Sequence, residues 1–309
     1  MPDQPALSVR GLTKSYGKVQ ALRGVDLEVG RGEIFGFLGP NGAGKTTTIR
    51  CLLDLIRPDG GEARVLGLDP RAEPVAVKAR TGYLPGELSL EPNLTAERAL
   101  RQFADLRGGV DWSYVQSLAA RLQLDLRTAV KNMSKGNKQK VGVVQALMAR
   151  PELLLLDEPT AGLDPLIQRE VYRLLREAQA AGTTVFFSSH IISEVEAIAE
   201  RVAIIRQGRI AEVVAPHDLV NRAARRVRVR FSAPVNALSL AVVPGVTALD
   251  DATRSDERGE AAPFAPVTAV TLQVEGGMDG LIKALAAHPV ADLETERPSL
   301  EEVFLTLYE

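Results

Sequence analysis

The sequence predicts an α/β protein with a parallel core sheet, followed by a second, smaller α/β domain. Three observations indicate this fold. A short apolar segment at 33–38 is followed by a glycine-rich loop and then by residues 46–56, which are apolar at helical spacing. Between 153 and 205, continuous apolar segments alternate with helical ones, as in a buried parallel sheet. Beyond about residue 220 the pattern becomes strictly alternating, which is typical of a half-buried strand.

The amino-terminal part is expected to be rich in strands, with β-patterns at Leu7 to Val9, Val25 to Val29 and Glu33 to Leu38. From about Pro74 to Arg150 the patterns become helical, and they predict a helical insert over about residues 86–150. Its helices are expected to start at Thr95, to run from Trp112 to Leu124 after the capping residue Asp111, and to run from Asn137 to Ala149.

The next segments predict the core of the parallel sheet. An apolar strand, Leu153 to Leu156, is followed by Asp157. Further strands are predicted at 183–187 and 202–205, and helices at Pro165 to Ala180 and Ile191 to Ala199. Together these elements complete a main domain that we place at residues 1–220.

The second domain is predicted over residues 221–309. In its first strand Val227, Val229 and Phe231 share one face, and three arginines share the other. A charged loop at 250–260, a strand at 267–274 and a helix at 278–287 follow. Ser299 is expected to cap a last helix that ends at Tyr308.

Composition excludes several classes of protein. In 309 residues, 37 basic and 39 acidic side chains give a net charge of −2, so bulk charge indicates no nucleic-acid partner. A hydrophobic share of 45% with 25% charged residues disfavours disorder and fibrous repeats. Cys51 is the sole cysteine, which excludes an internal disulfide. With no signal-peptide pattern and no apolar run of about 20 residues, we expect a chain that is neither secreted nor membrane-spanning.

The glycine-rich segment, here called the phosphate loop, matches a pattern that binds nucleotide phosphates between a strand and a helix. Its backbone N–H groups can surround phosphate oxygens at a helix amino terminus, Lys45 can neutralise the β and γ phosphates, and the Thr46 hydroxyl can reach Mg²⁺. The predicted phosphate-binding residues are Gly39, Pro40, Asn41, Gly42, Ala43, Gly44, Lys45, Thr46 and Thr47.

Two acidic residues follow the strand at 153–156. Because ligands bind at the carboxyl edge of such sheets, Asp157 is expected beside the phosphate loop, where it can hold Mg²⁺ with Thr46. The adjacent Glu158 can orient or deprotonate an attacking water. Without the phosphate loop nearby, two acidic residues at a strand end would be read simply as solvent-exposed.

Four segments, at 39–46, 153–158, 161–164 and 188–190, occur in the order and spacing of ATP-binding-cassette (ABC) ATPases. Over roughly its first two thirds the chain therefore resembles the nucleotide-binding subunit of an ABC transporter. The resemblance implies ATP as the nucleotide, with Tyr16 stacked on adenine and His190 in contact with the γ phosphate. It also implies that Asp164 belongs to a loop that links two sites across a dimer.

In the family, a Leu-Ser-Gly-Gly-Gln segment opens a helix and caps the γ phosphate bound by the other subunit. Residues 133–137, here called the signature segment, read Met-Ser-Lys-Gly-Asn. Ser134 and Gly136 are retained, and the resemblance assigns them to the ATP of a partner copy, which implies a homodimer. Taken alone, the segment is equally consistent with a plain turn and helix cap.

A second departure lies at residues 85–87. Many relatives have a glutamine directly after the proline, which senses Mg²⁺ and the membrane partner, whereas this chain has Gly86 and then Glu87. Either Glu87 substitutes for the glutamine or the sensing of the γ phosphate is weaker.

The ending at 297–305 resembles that of ATPase subunits of drug, antibiotic or lipid exporters whose permease is a separate polypeptide. We therefore expect a transmembrane permease as partner and a location at the cytoplasmic side of the cell membrane. A cluster of arginines could instead face anionic lipid or nucleic acid, but an exposed strand face is favoured and no aromatic residues interleave with it. The cluster comprises Arg222, Arg225, Arg226, Arg228 and Arg230.

Two other functions remain open. One is an ABC ATPase without a transport role, although the single phosphate loop and the lack of heptads disfavour it. The other is a protein that sequesters nucleotide without turnover, which Gly86 and Lys135 suggest and the retained Lys45, Asp157, Glu158 and His190 oppose.

Overall fold

The computed structural model describes residues 4–216, 218, 225–236, 240, 242–248, 267–275 and 277–296. The chain forms two compact units, Met1–Ala215 and Pro216–Glu309. The predicted loop at 250–260, the predicted helix at 299–308, the exporter-like ending at 297–305 and Arg222 lie outside the described residues.

The first unit alternates strands and helices along most of its length. Its strands are β1 (Leu7–Tyr16), β2 (Val19–Val29), β3 (Ile34–Leu38), β4 (Gly60–Val65), β5 (Thr81–Leu84), β6 (Leu153–Asp157), β7 (Thr184–Ser189), β8 (Arg201–Arg206) and β9 (Arg209–Val214). Its α-helices are α1 (Lys45–Leu52), α2 (Pro74–Arg80), α3 (Ala96–Leu106), α4 (Trp112–Arg121), α5 (Lys135–Leu147), α6 (Pro165–Ala180) and α7 (Ile192–Ile198).

The six-stranded core sheet has the order β5-β6-β7-β3-β8-β9, and every pair is parallel except β8 with β9. The predicted α/β fold with a parallel core sheet is therefore confirmed. Strands β3, β6 and β7 are buried along their whole length, because α-helices and other strands cover both faces. Phe186 lies near the middle of this sheet, with its ring centroid 5.2 Å from that of Phe37 and 6.0 Å from that of Phe35.

One sequence expectation is wrong at β5. The patterns from Pro74 to Arg150 read as helical, but Thr81–Leu84 is an edge strand of the core sheet. Four residues are too few to show a period, and Gly82 weakens the β-pattern further. The structure explains this glycine, because a Cβ there would lie 2.1 Å from the carbonyl oxygen of Ala146.

A three-stranded antiparallel sheet of order β2-β1-β4 packs on the core sheet. Its strands β1 and β2 are longer than predicted, and β4 was not predicted at all. Strand β4 contains Gly61 at φ +86°, where a Cβ would lie 2.4 Å from the carbonyl oxygen of Gly11. A close backbone approach of this kind requires glycine but leaves no hydrophobic pattern.

Side-chain caps define where the helices start. The predicted cap Asp111 accepts hydrogen bonds from the backbone N–H groups of Ser113 and Tyr114, so α4 begins where its sequence indicates. Thr95 caps α3 by accepting from the N–H of Arg98. These caps satisfy N–H groups that a helix amino terminus otherwise leaves without a partner.

The second unit has an antiparallel sheet of order β11-β12-β10-β13. Its elements are β10 (Arg225–Val235), β11 (Val246–Ala248), β12 (Val267–Val274), α8 (Asp279–Leu285) and β13 (Val290–Glu296). The predicted inward face of β10 is confirmed, since Val227, Val229 and Phe231 are buried with Leu281 and Leu285 of the helix.

The outward face of β10 carries arginines that lie opposite acidic residues of β13. Arg228 pairs with Glu294 at 3.7 Å, and Arg230 forms an ion pair with Asp292. Acidic partners offset the positive charge of these arginines, which favours the exposed strand face over an anion-binding surface.

None of the helices in the described part of the chain is both long enough and apolar enough to span a bilayer.

Candidate functional site

The phosphate loop connects β3 to α1, as its sequence predicts. Gly42 and Gly44 have φ values of +79° and +113°, which other residues rarely adopt. A Cβ on Gly44 would also lie 2.7 Å from Leu22 and 2.8 Å from the carbonyl oxygen of Ala21. Strand β2 thus packs directly against the loop. Thr46 and Thr47 lie in the first turn of α1, where backbone N–H groups favour an anion.

Lys45 is buried with its ammonium group turned toward the loop. Its Nζ donates to the carbonyl oxygens of Gly39 and Pro40 at 2.6 and 3.2 Å, and it lies 3.8 Å from Oε1 of Glu158. Burial lowers the pKa of Lys45, while the nearby charges of Glu158 and Asp157 oppose that shift. The cation is therefore held close to both the loop and a carboxylate.

Asp157 lies at the end of β6 and is fixed by hydroxyls on both of its oxygens. Thr46 Oγ1 donates to Oδ2 at 2.6 Å, and Ser188 Oγ donates to Oδ1 at 2.5 Å. Strand β7 is the parallel neighbour of β6, and its register places Ser188 beside Asp157. The sheet therefore brings Asp157 to the phosphate loop. A hydroxyl and a carboxylate are the hard oxygen ligands that Mg²⁺ prefers, so this pair fits the ion.

Glu158 has an unusual backbone conformation that neighbouring groups hold in place. Its φ is +51°, a value that is rare for residues other than glycine. Its N–H donates to the backbone and side-chain oxygens of Ser188 at 3.2 and 3.1 Å, and its carbonyl oxygen accepts from Nε2 of Gln139 at 2.9 Å. Gln139 is a buried residue of α5 that the sequence analysis did not single out.

His190 directly follows β7 and meets Glu158. Its Nδ1 lies 2.9 Å from Oε1 of Glu158. The structure therefore brings Lys45, Thr46, Asp157, Glu158 and His190 to one edge of the sheet. Within the described residues, no three His, Cys, Asp or Glu side chains are grouped so that they could hold a metal by themselves.

The signature segment lies at the start of α5. Ser134 caps this helix by accepting from the N–H of Asn137 at 3.2 Å. Gly136 packs on the segment after Glu158, since a Cβ there would lie 2.6 Å from the carbonyl oxygen of Gly162. Asp164 similarly caps α6, with 3.1 Å hydrogen bonds from the N–H groups of Leu166 and Ile167.

Tyr16 is exposed at the end of β1, where it pairs with Val19 across the hairpin. The Nζ of Lys14 lies 5.7 Å from its ring centroid. The second strand of the same hairpin contacts the phosphate loop through Ala21 and Leu22.

Gly86 and Glu87, which stand where many relatives have a glutamine after the proline, face different surroundings. A Cβ on Gly86 would lie 3.0 Å from Oδ2 of Asp157, so a side chain there would crowd the oxygen that accepts from Thr46. Glu87 instead lines a groove with Leu88 and Phe103.

Comparison with known proteins identifies a family that has a nucleotide-binding site of this kind. A family profile described as ABC transporter matches residues 22–161. The chain is 33% identical to the daunorubicin/doxorubicin resistance ATP-binding protein DrrA of Streptomyces peucetius, over 98% of this chain and 99% of the relative. It is 35% identical to a fluoroquinolones export ATP-binding protein of Mycobacterium tuberculosis, over 97% of this chain and 92% of the relative.

Solved structures show the same fold. An ATP-binding subunit of an ABC transporter covers 69% of this chain and 91% of its own length, with a TM-score of 0.65 and 31% identity. An ATP-binding cassette bound to ADP and inorganic phosphate covers 68% of this chain and 98% of its own length, with a TM-score of 0.63 and 23% identity. The fold and the phosphate loop thus define an ABC-type nucleotide-binding unit. The chain belongs to the ABC transporter family.

Proposed function

We propose that the chain is the ATP-hydrolysing subunit of an exporter whose transmembrane permease is a separate polypeptide. The observation that carries this proposal is Glu158, whose Oε1 lies 2.9 Å from His190 and 3.8 Å from Lys45, beside the Thr46–Asp157 pair. Export is supported by the names of the two relatives above, which match nearly the whole chain.

In this proposal the phosphate loop binds ATP. Backbone N–H groups within residues 41–47 and the ammonium of Lys45 bind the β and γ phosphates, and Tyr16 stacks on adenine. Thr46 and Asp157 hold Mg²⁺, which neutralises charge on the phosphates when bound. Asp157 is buried with hydroxyls on both oxygens, so it is already oriented for this task.

Glu158 and His190 perform the hydrolysis. Glu158 orients and deprotonates the attacking water, a contribution worth roughly 10²–10⁴ in rate. His190 contacts the γ phosphate and fixes the Glu158 carboxylate through the 2.9 Å contact. The ammonium of Lys45 also contacts that carboxylate, at 3.8 Å from Oε1.

We propose a homodimer in which the signature segment binds the ATP of the partner copy. Within the chain, Gly136 packs on Gly162 and leaves the first turn of α5 beside the segment that ends at Asp164. A helix amino terminus capped by Ser134 offers backbone N–H groups to an anion. Each phosphate loop would then face the Ser134 segment of the other copy.

We propose that the permease binds in a groove of about 460 Å³ that is lined in part by Pro85 and Glu87. Its apolar lining includes Leu53, Leu55 and Phe103, and Lys78 and Glu87 add charges of both signs. A short helix or loop of the permease fits this mixed surface. Because Pro85 and Glu87 line the groove and flank Gly86, where a Cβ would lie 3.0 Å from Asp157, the occupant of the groove would be close to the ATP site. The chain would thus be held at the cytoplasmic side of the cell membrane, with residues 1–220 as ATPase domain and 221–309 as accessory domain.

The test uses the purified full chain with ATP and Mg²⁺. We expect hydrolysis by the wild type, loss of ATP binding in Lys45→Ala, and retained binding without turnover in Glu158→Gln. Glu33→Gln is the matched control, because this carboxylate precedes β3 at the opposite end of the strand. Wild-type hydrolysis no greater than that of Glu158→Gln would overturn the proposal and favour nucleotide sequestration.

The dimer is tested by the solution mass of Glu158→Gln with and without ATP and Mg²⁺. We expect the mass to double only with ATP, and Ser134→Ala in the same background to weaken this pairing. A mass that ATP leaves unchanged at one copy would contradict the dimer. The permease is tested by co-purification from membranes, where Phe103→Asp should reduce recovery of a multispanning protein while hydrolysis by the isolated subunit persists.

A further inference from the structure

A second carboxylate is buried close to Glu158 and His190, but it is not one of the groups assigned above. Glu194 lies in α7 and is 7% exposed. The hydroxyl of Thr160 donates to its Oε1, and the hydroxyl of Ser189 donates to its Oε2. The two oxygens therefore connect two chain segments that lie at the carboxyl ends of different strands of the core sheet, β6 and β7.

These two segments carry the reacting groups. Thr160 comes two residues after Glu158, and Ser189 comes directly before His190. The hydroxyl of Ser189 also accepts from the N–H of Ile191 at 2.9 Å, so the chain is held on both sides of His190. Glu194 thus fixes the two segments from which Glu158 and His190 approach each other to 2.9 Å.

A purely structural role explains this arrangement poorly. Burial of a carboxylate is costly even with hydrogen bonds, and apolar side chains of similar volume commonly stabilise such a position as well or better. The buried carboxyl group is better explained by the precise geometry that its two hydroxyl bonds impose.

We propose that Glu194 is a positioning residue that sets the distance between Glu158 and His190. This inference rests on the proposed function, because it assigns the hydrolysis to that pair. The hydrogen bond from Ser189 orients His190, and the hydrogen bond from Thr160 orients the segment after Glu158. Neither bond requires Glu194 to touch ATP.

The first experiment is a double-mutant cycle on hydrolysis. We expect Glu194→Ala to lower kcat between about 10- and 100-fold, as for a misplacement of about 1 Å, and to change the KM for ATP less than twofold. In a His190→Ala background the same substitution should lower kcat much less, because the residue through which it acts is gone. An equal loss in both backgrounds would show that Glu194 only supports the fold.

Further variants separate geometry from folding. Ser189→Ala removes the bonds of this hydroxyl to Glu194 and to the N–H of Ile191, leaves the Thr160 bond in place, and should reproduce most of the loss. Glu194→Gln should recover most of the activity, since an amide can accept from one hydroxyl and donate to the other. The control is Glu33→Ala, a poorly exposed carboxylate that accepts from the N–H of Gly30 and from Arg201. It should lower stability without changing kcat.

A second readout does not depend on turnover. The chain has three histidines, so the ring signals of His190 can be assigned by NMR from their loss in His190→Ala. We expect Glu194→Ala and Ser189→Ala to shift these signals and Glu33→Ala to leave them in place. Unmoved signals would overturn the inference. A wild type that does not hydrolyse ATP would refute the proposed function, while the NMR result would still decide whether Glu194 orients His190.

Discussion

The hydrogen bond from Gln139 to the backbone of Glu158 offers a direct test of how the structure holds this residue. A non-glycine residue at positive φ costs on the order of 1–3 kcal/mol and persists only where its surroundings impose it. At Glu158 the N–H is bound by Ser188 and the carbonyl oxygen by Gln139 at 2.9 Å. Gln139 is buried, so water does not readily replace its amide.

The substitution Gln139→Met removes the donor and keeps nearly the same shape and volume. A carbonyl oxygen left without its donor, and with no water in its place, costs about 1–3 kcal/mol, which is comparable to the strain that the bond offsets. The peptide of Glu158 can then relax toward negative φ and move its carboxylate from His190. If the whole free-energy cost of the lost hydrogen bond is added to the activation free energy of hydrolysis, kcat falls about five- to 150-fold, since each 1.4 kcal/mol is a factor of ten.

The assay compares kcat for ATP hydrolysis, ATP affinity and the free energy of unfolding in Gln139→Met with those in Gln145→Met. Gln145 lies on the same helix but lines the groove, so it controls for the change in α5. We expect unchanged ATP affinity in both variants and a lower kcat only in Gln139→Met. A kcat within twofold of the Gln145→Met value would refute the reasoning.

Three further predictions concern separate parts of the first unit. Burial raises the pKa of the Cys51 thiol to about 11, so at pH 8 a thiol reagent should modify it only after unfolding, and rapid labelling of the folded chain would contradict this. Gly86→Ala places a Cβ 3.0 Å from Oδ2 of Asp157, so the Mg²⁺ concentration for half-maximal hydrolysis should rise; an unchanged value would argue that the carboxylate moves freely. The Arg121 guanidinium lowers the pKa of Glu177 in the folded chain. The ion pair therefore stabilises the fold at pH values above the ordinary pKa of about 4.3, and this stabilisation is lost as the pH falls through the lowered pKa of the folded state. Because Glu177 is mostly exposed, the free energy of unfolding measured in urea should differ by less than about 1 kcal/mol between wild type and Glu177→Gln at neutral pH, and the difference should shrink as the pH falls below about 4.3.

The sequence predicts best the elements whose pattern is long and whose ends are chemically marked. Helix α6 has the predicted bounds Pro165–Ala180, because Asp164 caps it and its buried residues recur at helical spacing. Strand β12 also has the predicted bounds Val267–Val274. The phosphate loop and the Asp157 contact follow from the strand order, since parallel neighbours place their carboxyl ends at one edge.

Several strands that the sequence did not predict lie at the edges of sheets. Strands β4, β5, β9 and β13 contain glycines, arginines or acids, and pairing with a neighbouring strand overrides their weak local preference. Gln139 and Glu194 were missed for a related reason. Each is a polar residue on the buried side of a helix, a signal that is visible only once the apolar neighbours are known to face the core.

The three carboxylates at this edge of the sheet differ in what surrounds them, and the difference assigns their tasks. Asp157 and Glu194 are 1% and 7% exposed, and hydroxyl donors occupy both oxygens of each. Such groups are fixed acceptors, suited to holding a cation or a neighbouring segment. The Glu158 side chain is 28% exposed and meets cationic or titratable partners through Oε1. Of the three, Glu158 alone combines access to solvent with the nearby His190 and Lys45, which is why we propose the chemistry of hydrolysis for Glu158 and supporting roles for the other two.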